Sequence, residues 1–272
     1  MHADTITHDT LNIDLIRREL DPGPVGSRIH LYDEIPSTNE VLRDLARAGA
    51  VEGTVVLAER QTAGRGRGGK PWFSPPGVNL YASALFRPAI QPQAVTVFSF
   101  IASLALADAI SELGIAAAIK WPNDVMVKGK KVAGVLAEVV TAGDQVESVV
   151  LGVGVNLNVT RAAIAAALGD AARAATSLRE LLGRPVDRNA FTAAFLNYLG
   201  QWHAIHAERG EAALLRAWHD RDILTGRRVE VREGAHVFDG RVRGLDAEGH
   251  LEVEDSLGRI HRVVAGEVRS IE

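Results

Sequence analysis

The stretch "AERQTAGRGRGGKPWFSPPG", Ala58 to Gly77, decides how the chain is read. It sets a glycine-rich, basic loop behind the β-branched run "GTVVLAERQ", which reads as a strand. Gly64, Gly66 and Gly69 satisfy G-x-G-x-x-G. A dinucleotide fold needs a helix to start at such a loop, because the helix's first amides hold the pyrophosphate. Pro71, Pro75 and Pro76 forbid that helix, and no G-K-[ST] ending makes the loop a P-loop. The doubly wound parallel reading therefore fails on context. Two readings of the loop stay open: a solvated mobile turn, or a flap that closes on an anion. Between Glu59 and Asp108 there is no acidic residue, while Arg60, Arg65, Arg67, Lys70 and Arg87 are basic. This predicts a local positive potential in which glycines let the backbone close and arginines fork onto phosphate oxygens.

Outward from the loop, alternation and punctuation predict the other elements. "RIHLYDEI" reads as a strand and "STNEVLRDLARAG" as a helix, with Ser37 as N-cap, Glu40 completing a capping box and Gly49 as the stop. "NLYASALFRP" is a strand, and 94–113 is a buried helix ended by Gly114. "AAIKWPNDVMV", "KVAGVLAEVV" and "VESVVLGVGVNLN" are separated by tight "KGK" and "AGDQ" turns, which imply antiparallel hairpins and not parallel crossovers. Residues 160–220 read as helical, interrupted at Gly183–Pro185. From Asp222 onward short alternating strands between glycine turns suggest a small barrel. The expected fold class is α+β, a mixed and mainly antiparallel sheet with flanking helices, followed by that barrel. The domain reading is an extension over 1–27, a main domain over 28–221 and a C-terminal domain over 222–272.

Composition narrows the function classes. A net charge of −4 gives no global reason to expect nucleic acid or an acidic membrane surface as partner. The absence of cysteine removes disulfides, thiolate metal sites and cysteine nucleophiles, and fits a reducing cytoplasm. "MHADTITHDTLNID" lacks the basic and apolar regions of a signal peptide, and residues 1–27 are too few for a helix-turn-helix with its supporting helix. No G-x-S-x-G or H-E-x-x-H occurs, and His203 and His206, beside Trp202, lack a carboxylate ligand pattern. We expect them at the surface or the core edge.

A second constellation is "KWPNDVMVKGKKVAGVLAE", in which Lys120, Asn123, Asp124 and Lys131 surround a hairpin. Asp124 suits a magnesium ion carried by a nucleotide, since Mg²⁺ takes one or two carboxylates plus phosphate oxygens. Ordinary turn chemistry for Asn123–Asp124 with solvated lysines is the alternative.

Taken in order, "STN", "QTAGRGRGGKPW", "KWPND", "KVAGVLAE", "LGVGVNLN" and "ATSL" resemble the bacterial biotin protein ligases, from about Arg28 to the C-terminus. The resemblance implies a class II synthetase-like catalytic domain with an SH3-like C-terminal barrel, of the type that lacks a DNA-binding domain. It implies a cytoplasmic enzyme that uses ATP and Mg²⁺ to convert biotin into biotinyl-5′-AMP and passes the biotinyl group to a lysine of a biotin carboxyl carrier domain. No DNA and no membrane partner is expected, and monomer and homodimer are both compatible with the chain. Biotin contacts are implied at Ser37, Thr38, Asn39, Gln61, Gly64, Arg65, Gly66, Arg67, Lys131 and Gly134. ATP contacts are implied at Arg65, Arg67, Lys70, Trp72, Lys120, Asn123 and Asn156, with Trp72 covering the closed loop. Arg67, Lys131 and Asp124 are the implied catalytic residues, and Asp124 the metal ligand. Gly68 stands where the family often has a basic residue, and Lys70 is the nearest substitute. The rivals are a lipoate or octanoyl transferase of related fold and a non-catalytic biotin sensor or repressor.

Overall fold

The computed structural model describes residues 10–142 and 145–271. Its centre is a seven-stranded sheet in the order β1-β2-β3-β7-β6-β5-β4. The strands are β1 (Arg28–Ile35), β2 (Thr54–Gln61), β3 (Leu80–Phe86), β4 (Ala118–Lys120), β5 (Asp124–Val127), β6 (Lys130–Ala142) and β7 (Gln145–Val155). Only β1 and β2 run parallel, joined by helix α2 (Thr38–Arg47) as a crossover. All other pairings are antiparallel, as the short turns require. At the "KGK" turn Lys128 and Gly129 both have positive φ, the geometry of a two-residue hairpin. The "AGDQ" turn falls partly on residues 143–144, outside the described residues, as do positions 1–9 of the N-terminal segment.

Alternation along the strands builds two cores of unequal size. Val55 and Leu57 of β2, Ala82, Ala84 and Phe86 of β3 and Val149, Leu151, Val153 and Val155 of β7 belong to the large one. That face is covered by α3 (Thr96–Ser111) and α6 (Arg188–Arg209), with α1 (Ile13–Arg18) and α7 (Glu211–His219) against α6. The opposite face supplies Val56, Ala58, Leu85, Val140 and Val150, which meet Leu42 and Ala46 of α2 and Ile35 of β1, with Tyr32, Val41, Leu45 and Ala50 packed at the edge. The small core leaves the rest of that face open. Helices α4 (Arg161–Leu168) and α5 (Leu178–Leu182) follow β7, and Gly183 stops α5 with φ of 70°.

Leu11, Ile16 and Val25, from the segment ahead of β1, are buried in the large core. A buried ion pair fastens the segment. Arg188 Nη2 lies 2.7 Å from Glu59 Oε2, and Glu59 Oε1 accepts the Leu11 amide at 2.7 Å.

The chain past α7 forms a five-stranded antiparallel sheet ordered β11-β10-β9-β8-β12. Its strands are β8 (Arg228–Glu233), β9 (His236–Leu245), β10 (Leu251–Glu254), β11 (Ile260–Val263) and β12 (Glu267–Ser270). Its apolar residues Val229, Val231, Val242 and Leu251 are continuous with the large core. Phe100 and Trp218 rings stand 4.4 Å apart at this junction, and Trp121 Nε1 donates to the Gly249 carbonyl at 3.2 Å. His203 sits at the core edge, 4.7 Å from the Phe86 ring, and burial depresses its pKa. Among the described residues no helix is long and apolar enough to cross a membrane.

Arg188 is fully buried, so removing its charge partner-by-partner should be costly. Arg188→Met is expected to lower the unfolding free energy by about 3–5 kcal/mol, because Glu59 is left charged and unpaired. Urea denaturation of Arg188→Met, Glu59→Gln and the double variant checks it. The double variant should lose clearly less than the sum of the singles.

Candidate active site

Two adjacent cross-strand rows on the open face of the sheet define the site. The register aligns Lys120 (β4), Asp124 (β5), Gly134 (β6) and Gly154 (β7) in one row. It aligns Leu136 (β6), Gly152 (β7) and Ser83 (β3) in the other. The rows are two residues apart, about 7 Å along the strands. One row carries the charges of Lys120 and Asp124, the other is uncharged with Ser83 as its polar side chain, and glycines keep the floor low in both.

A cavity of about 830 Å³ stands on this floor. It is lined by Ser37, Thr38, Asn39, Gln61, Arg65, Gly66, Arg67, Lys70, Trp72, Lys120, Asn123, Asp124, Lys131, Gly134 and Asn156, so nearly every residue singled out in the sequence comes together here. Gly64 stands behind the wall: a Cβ there would lie 2.6 Å from Ser74 Oγ and 2.9 Å from Gln61 Nε2. The C-terminal sheet closes one end of the cavity with Arg232, Gly266, Glu267 and Arg269, residues that no motif had marked.

At the charged end, a bulge in the β5–β6 pairing turns Lys131 toward the cavity. Its Nζ is 2.5 Å from Asp124 Oδ1 and 5.3 Å from the centre of the Trp72 ring. Lys120 forms no ion pair among the described residues; burial lowers its pKa and Asp124 raises it. The Asn123 amide donates to the Val135 carbonyl at 2.5 Å, and the Asn156 amide donates to the Thr176 carbonyl at 3.1 Å. Both are pinned in place with their oxygens free of that task.

The positive segment is largely neutralised by acids from elsewhere in the chain. Arg60 pairs with Glu34, Arg65 with Glu40 at 3.9 Å, Lys70 with Glu267 and Arg87 with Glu147. Arg67 alone of the five has no ion pair among the described residues. Burial pushes its pKa down, and Asp124 and Glu267 push it back up. An arginine keeps its charge under such pressure. The loop forms a narrow bridge between Arg65 and Pro71 around a single 3-10 turn, Arg67–Gly69, with Gly68 at φ of 63°, and no α-helix starts there. The Trp72 ring lies beneath this loop, flat on the sheet: a Cβ at Gly154 would sit 2.4 Å from its Nε1. That Nε1 is buried with no hydrogen-bond partner among the described residues.

At the neutral end, Ser37 begins α2 without making the expected capping bond. No capping box forms, because Glu40, its N3 member, turns to Arg65; separately, the Thr38 amide donates to Gln61 Oε1 at 2.9 Å. Gln61 Nε2 donates to Ser74 Oγ at 3.1 Å, and Ser74 Oγ donates to the Trp72 carbonyl at 3.0 Å. Asn39 Nδ2 donates to Glu138 Oε2 at 2.7 Å and Ser83 Oγ lies 2.6 Å from Asn39 Oδ1. Ser74, Ser83, Glu138 and Gly152 escaped the sequence reading. Period-two counting along β6 and β7 from Gly134 and Gly154 would have placed Glu138 and Gly152 on the site's face, whereas Ser83 is placed there only by the register of β3 with β7.

Comparison with known proteins agrees with this geometry. Residues 31–156 match the Biotin/lipoate A/B protein ligase family, and residues 224–269 match the biotin protein ligase C-terminal domain. The chain is 32% identical to the bifunctional ligase/repressor BirA of Bacillus subtilis over 89% of its own length and 74% of that protein's. It is 36% identical to the biotin–[acetyl-CoA-carboxylase] ligase of Mycobacterium tuberculosis, over 96% and 97% of the two chains. A solved biotin protein ligase from Aquifex aeolicus, in complex with biotin and ATP, superposes with a TM-score of 0.75 at 26% identity, over 90% and 99% of the chains. The chain therefore belongs to the biotin/lipoate protein ligase family, on its biotin protein ligase branch.

Gly154→Ala should lift the Trp72 ring from the sheet, since a Cβ has no room beneath it. The expected readout is a changed tryptophan emission relative to the parent protein, and no such change when Gly154→Ala is made in a Trp72→Phe background.

Proposed function

We propose that the chain is an ATP-dependent ligase that activates biotin as biotinyl-5′-AMP and transfers the biotinyl group to a lysine of a biotin carboxyl carrier domain. The observation that carries this reading is the shared floor. A neutral polar end and a charged end stand two residues apart, and Arg67 is held over the charged end with no ion-pair partner among the described residues. Biotin has the matching shape, a neutral ureido ring joined by an aliphatic chain to a carboxylate.

In this reading Ser37, Thr38, Asn39 and Gln61 bind the ring, whose two N–H groups and one carbonyl need acceptors and a donor. Gly66 and Gly134 leave room for the ligand, Gly64 lets Gln61 and Ser74 close up behind the wall that holds it, and Arg65, Arg67 and Lys131 meet its carboxylate. Arg67, Lys70, Lys120, Asn123, Asn156 and Trp72 serve the nucleotide. A carboxylate oxygen of biotin attacks the α-phosphorus of ATP and pyrophosphate leaves, so no protein nucleophile is required. The protein contributes alignment and positive charge. Each arginine or lysine brought within about 4 Å of a phosphate oxygen supplies a Coulomb attraction of about 4 kcal/mol at an effective dielectric near 20, before desolvation. The carrier lysine's amine then attacks the carbonyl carbon of the mixed anhydride, and AMP departs. Closure of the glycine loop keeps water from that anhydride in the interval.

Asp124 is the carboxylate of the site that fits a magnesium ion arriving on the nucleotide, because Mg²⁺ accepts one protein carboxylate with phosphate oxygens completing its shell. The ion would neutralise phosphate charge there. Lys131, which holds Asp124 in the free protein, would exchange it for the substrate's carboxylate–phosphate junction. We assign the reaction to the cytoplasm, where ATP and carboxylase carriers meet.

Incubation with biotin, MgATP and a carrier domain should add one biotinyl group to one carrier lysine by mass spectrometry, with lipoate giving none. Absence of the adduct refutes the reading. Arg67→Gly should leave adenylation partly intact yet release the adenylate, so that bystander proteins become biotinylated. Labelling that stays confined to the carrier would show that Arg67 does not retain the intermediate.

A further inference from the structure

Trp72 is tied to both ends of the cavity. Its backbone belongs to the neutral end: the carbonyl accepts from Ser74 Oγ at 3.0 Å, and Ser74 Oγ accepts from Gln61 Nε2 at 3.1 Å. Its amide donates to the Gly64 carbonyl at 2.9 Å. Its side chain crosses to the charged row. A Cβ at Gly154 would lie 2.4 Å from Cε2 and Nε1 of the indole, and a Cβ at Gly134 would lie 3.2 Å from Cζ3. The ring thus spans the neighbouring strands β6 and β7 and fills the shallow place that their glycines leave. The same Cβ at Gly134 would be 3.2 Å from Lys131 Nζ, so the ring edge and that ammonium group meet over one glycine. From the neutral row, the next outward position along β6 is Gly134 and along β7 is Gly154. A chain laid on the floor from Gly152 toward Lys131 therefore runs into the indole.

Two opposing contributions mark this placement as one of two states. The indole Nε1 is buried with no hydrogen-bond partner among the described residues, so the ring gives up a bond that it would make with water. Against that stand the ring's burial on the glycine backbone and Lys131 Nζ, 5.3 Å from the ring centre and in range of a cation–π attraction. The ring is held but not locked. Its backbone is hydrogen-bonded at both the amide and the carbonyl, so the indole can leave by rotation about its own side-chain bonds while the loop stays in place.

We infer that the Trp72 indole is a resident occupant of the cavity in the free protein, and that the acyl chain of biotin joins the two ends only by displacing it. This rests on the proposed binding of biotin. Displacement has two effects at once. It clears the floor between Gly152 and Lys131, and it removes the aromatic contact of the Lys131 ammonium group, leaving the Asp124 contact to be exchanged. The lifted ring is then free for the nucleotide role proposed for it. Because only the lifted fraction admits the chain, the resident ring slows biotin association by a factor that its own closure sets.

Two measurements test this. Association of tritiated biotin, followed by rapid mixing and a chase with unlabelled biotin, should be about tenfold or more faster for Trp72→Ala than for the wild type. Trp72→Phe, with its smaller ring, should fall between. A ring that only covers the ligand after it has bound would alter dissociation and leave the association rate unchanged. That result, or slower association, overturns the inference. The second measurement keeps the indole: protein labelled with fluorotryptophan gives a fluorine NMR resonance for Trp72, identified by its loss in Trp72→Phe. Biotin alone, without ATP, should move that resonance toward the position of solvent-exposed tryptophan. A Trp72 resonance that stays in place while biotin is bound overturns the inference and leaves the ligase reading standing. Wild-type protein that neither binds biotin nor transfers it to a carrier overturns that reading and the inference with it.

Discussion

A β-strand sends alternate side chains to opposite faces, and in this sheet the two faces have opposite duties. One must bury enough apolar surface to hold the protein together, and the other must stay low enough to floor a cavity. β6 and β7 meet both demands within one alternating pattern. Val149, Leu151, Val153 and Val155 point into the large core, while Gly152 and Gly154 between them point outward with no side chain. Everything above the floor depends on that vacancy. The Trp72 ring rests where a Cβ of Gly154 would be, and Asn39 Oδ1 lies 2.1 Å from where a Cβ of Gly152 would be. Substituting even alanine in these two positions would leave the core unaltered and displace the groups that read the ligand.

Much of this architecture was legible in the sequence, because its elements are set by local rules. Three apolar runs separated by tight turns fold as antiparallel hairpins, and three prolines deny the glycine loop a helix. The two dense motifs also converge as expected, since each lies at the end of a strand of the same sheet. What stayed hidden depends on contacts between distant parts of the chain. Ser83 looks like an ordinary strand residue until β3 is placed in register with β7. The segment ahead of β1 read as an extension because its apolar residues are few, yet Leu11, Ile16 and Val25 are buried and the Arg188–Glu59 pair ties the segment's backbone down. At Ser37 the local capping pattern was overridden by a contact from outside the helix: Arg65 takes Glu40, the residue that would have closed the box.

Charge tells a similar story at longer range. A stretch without acids looks uniformly positive when read linearly, but folding delivers Glu34, Glu40, Glu267 and Glu147 to four of its five basic residues. Surface pairs of this kind contribute little to stability. Their effect is to confine the unmatched charge to Arg67, half-buried above Asp124. Positive potential is thus concentrated where a phosphate would stand, and the rest of the segment does not compete for it.

The two ends of the cavity therefore differ in how they are organised before any ligand arrives. At the neutral end Asn39, Ser83, Thr38, Gln61 and Ser74 are already hydrogen-bonded in a chain from Leu136 to Trp72, so a ligand meets side chains whose orientation is set in advance. At the charged end Lys131 and Asp124 neutralise each other, and that contact has to be exchanged for phosphate and carboxylate. A rigid recognition end and an exchangeable reactive end suit an enzyme that must hold one part of a substrate unchanged while the other part passes through carboxylate, mixed anhydride and amide. Selectivity can then be set once, by the ring, and need not be re-established as the acyl group changes partners.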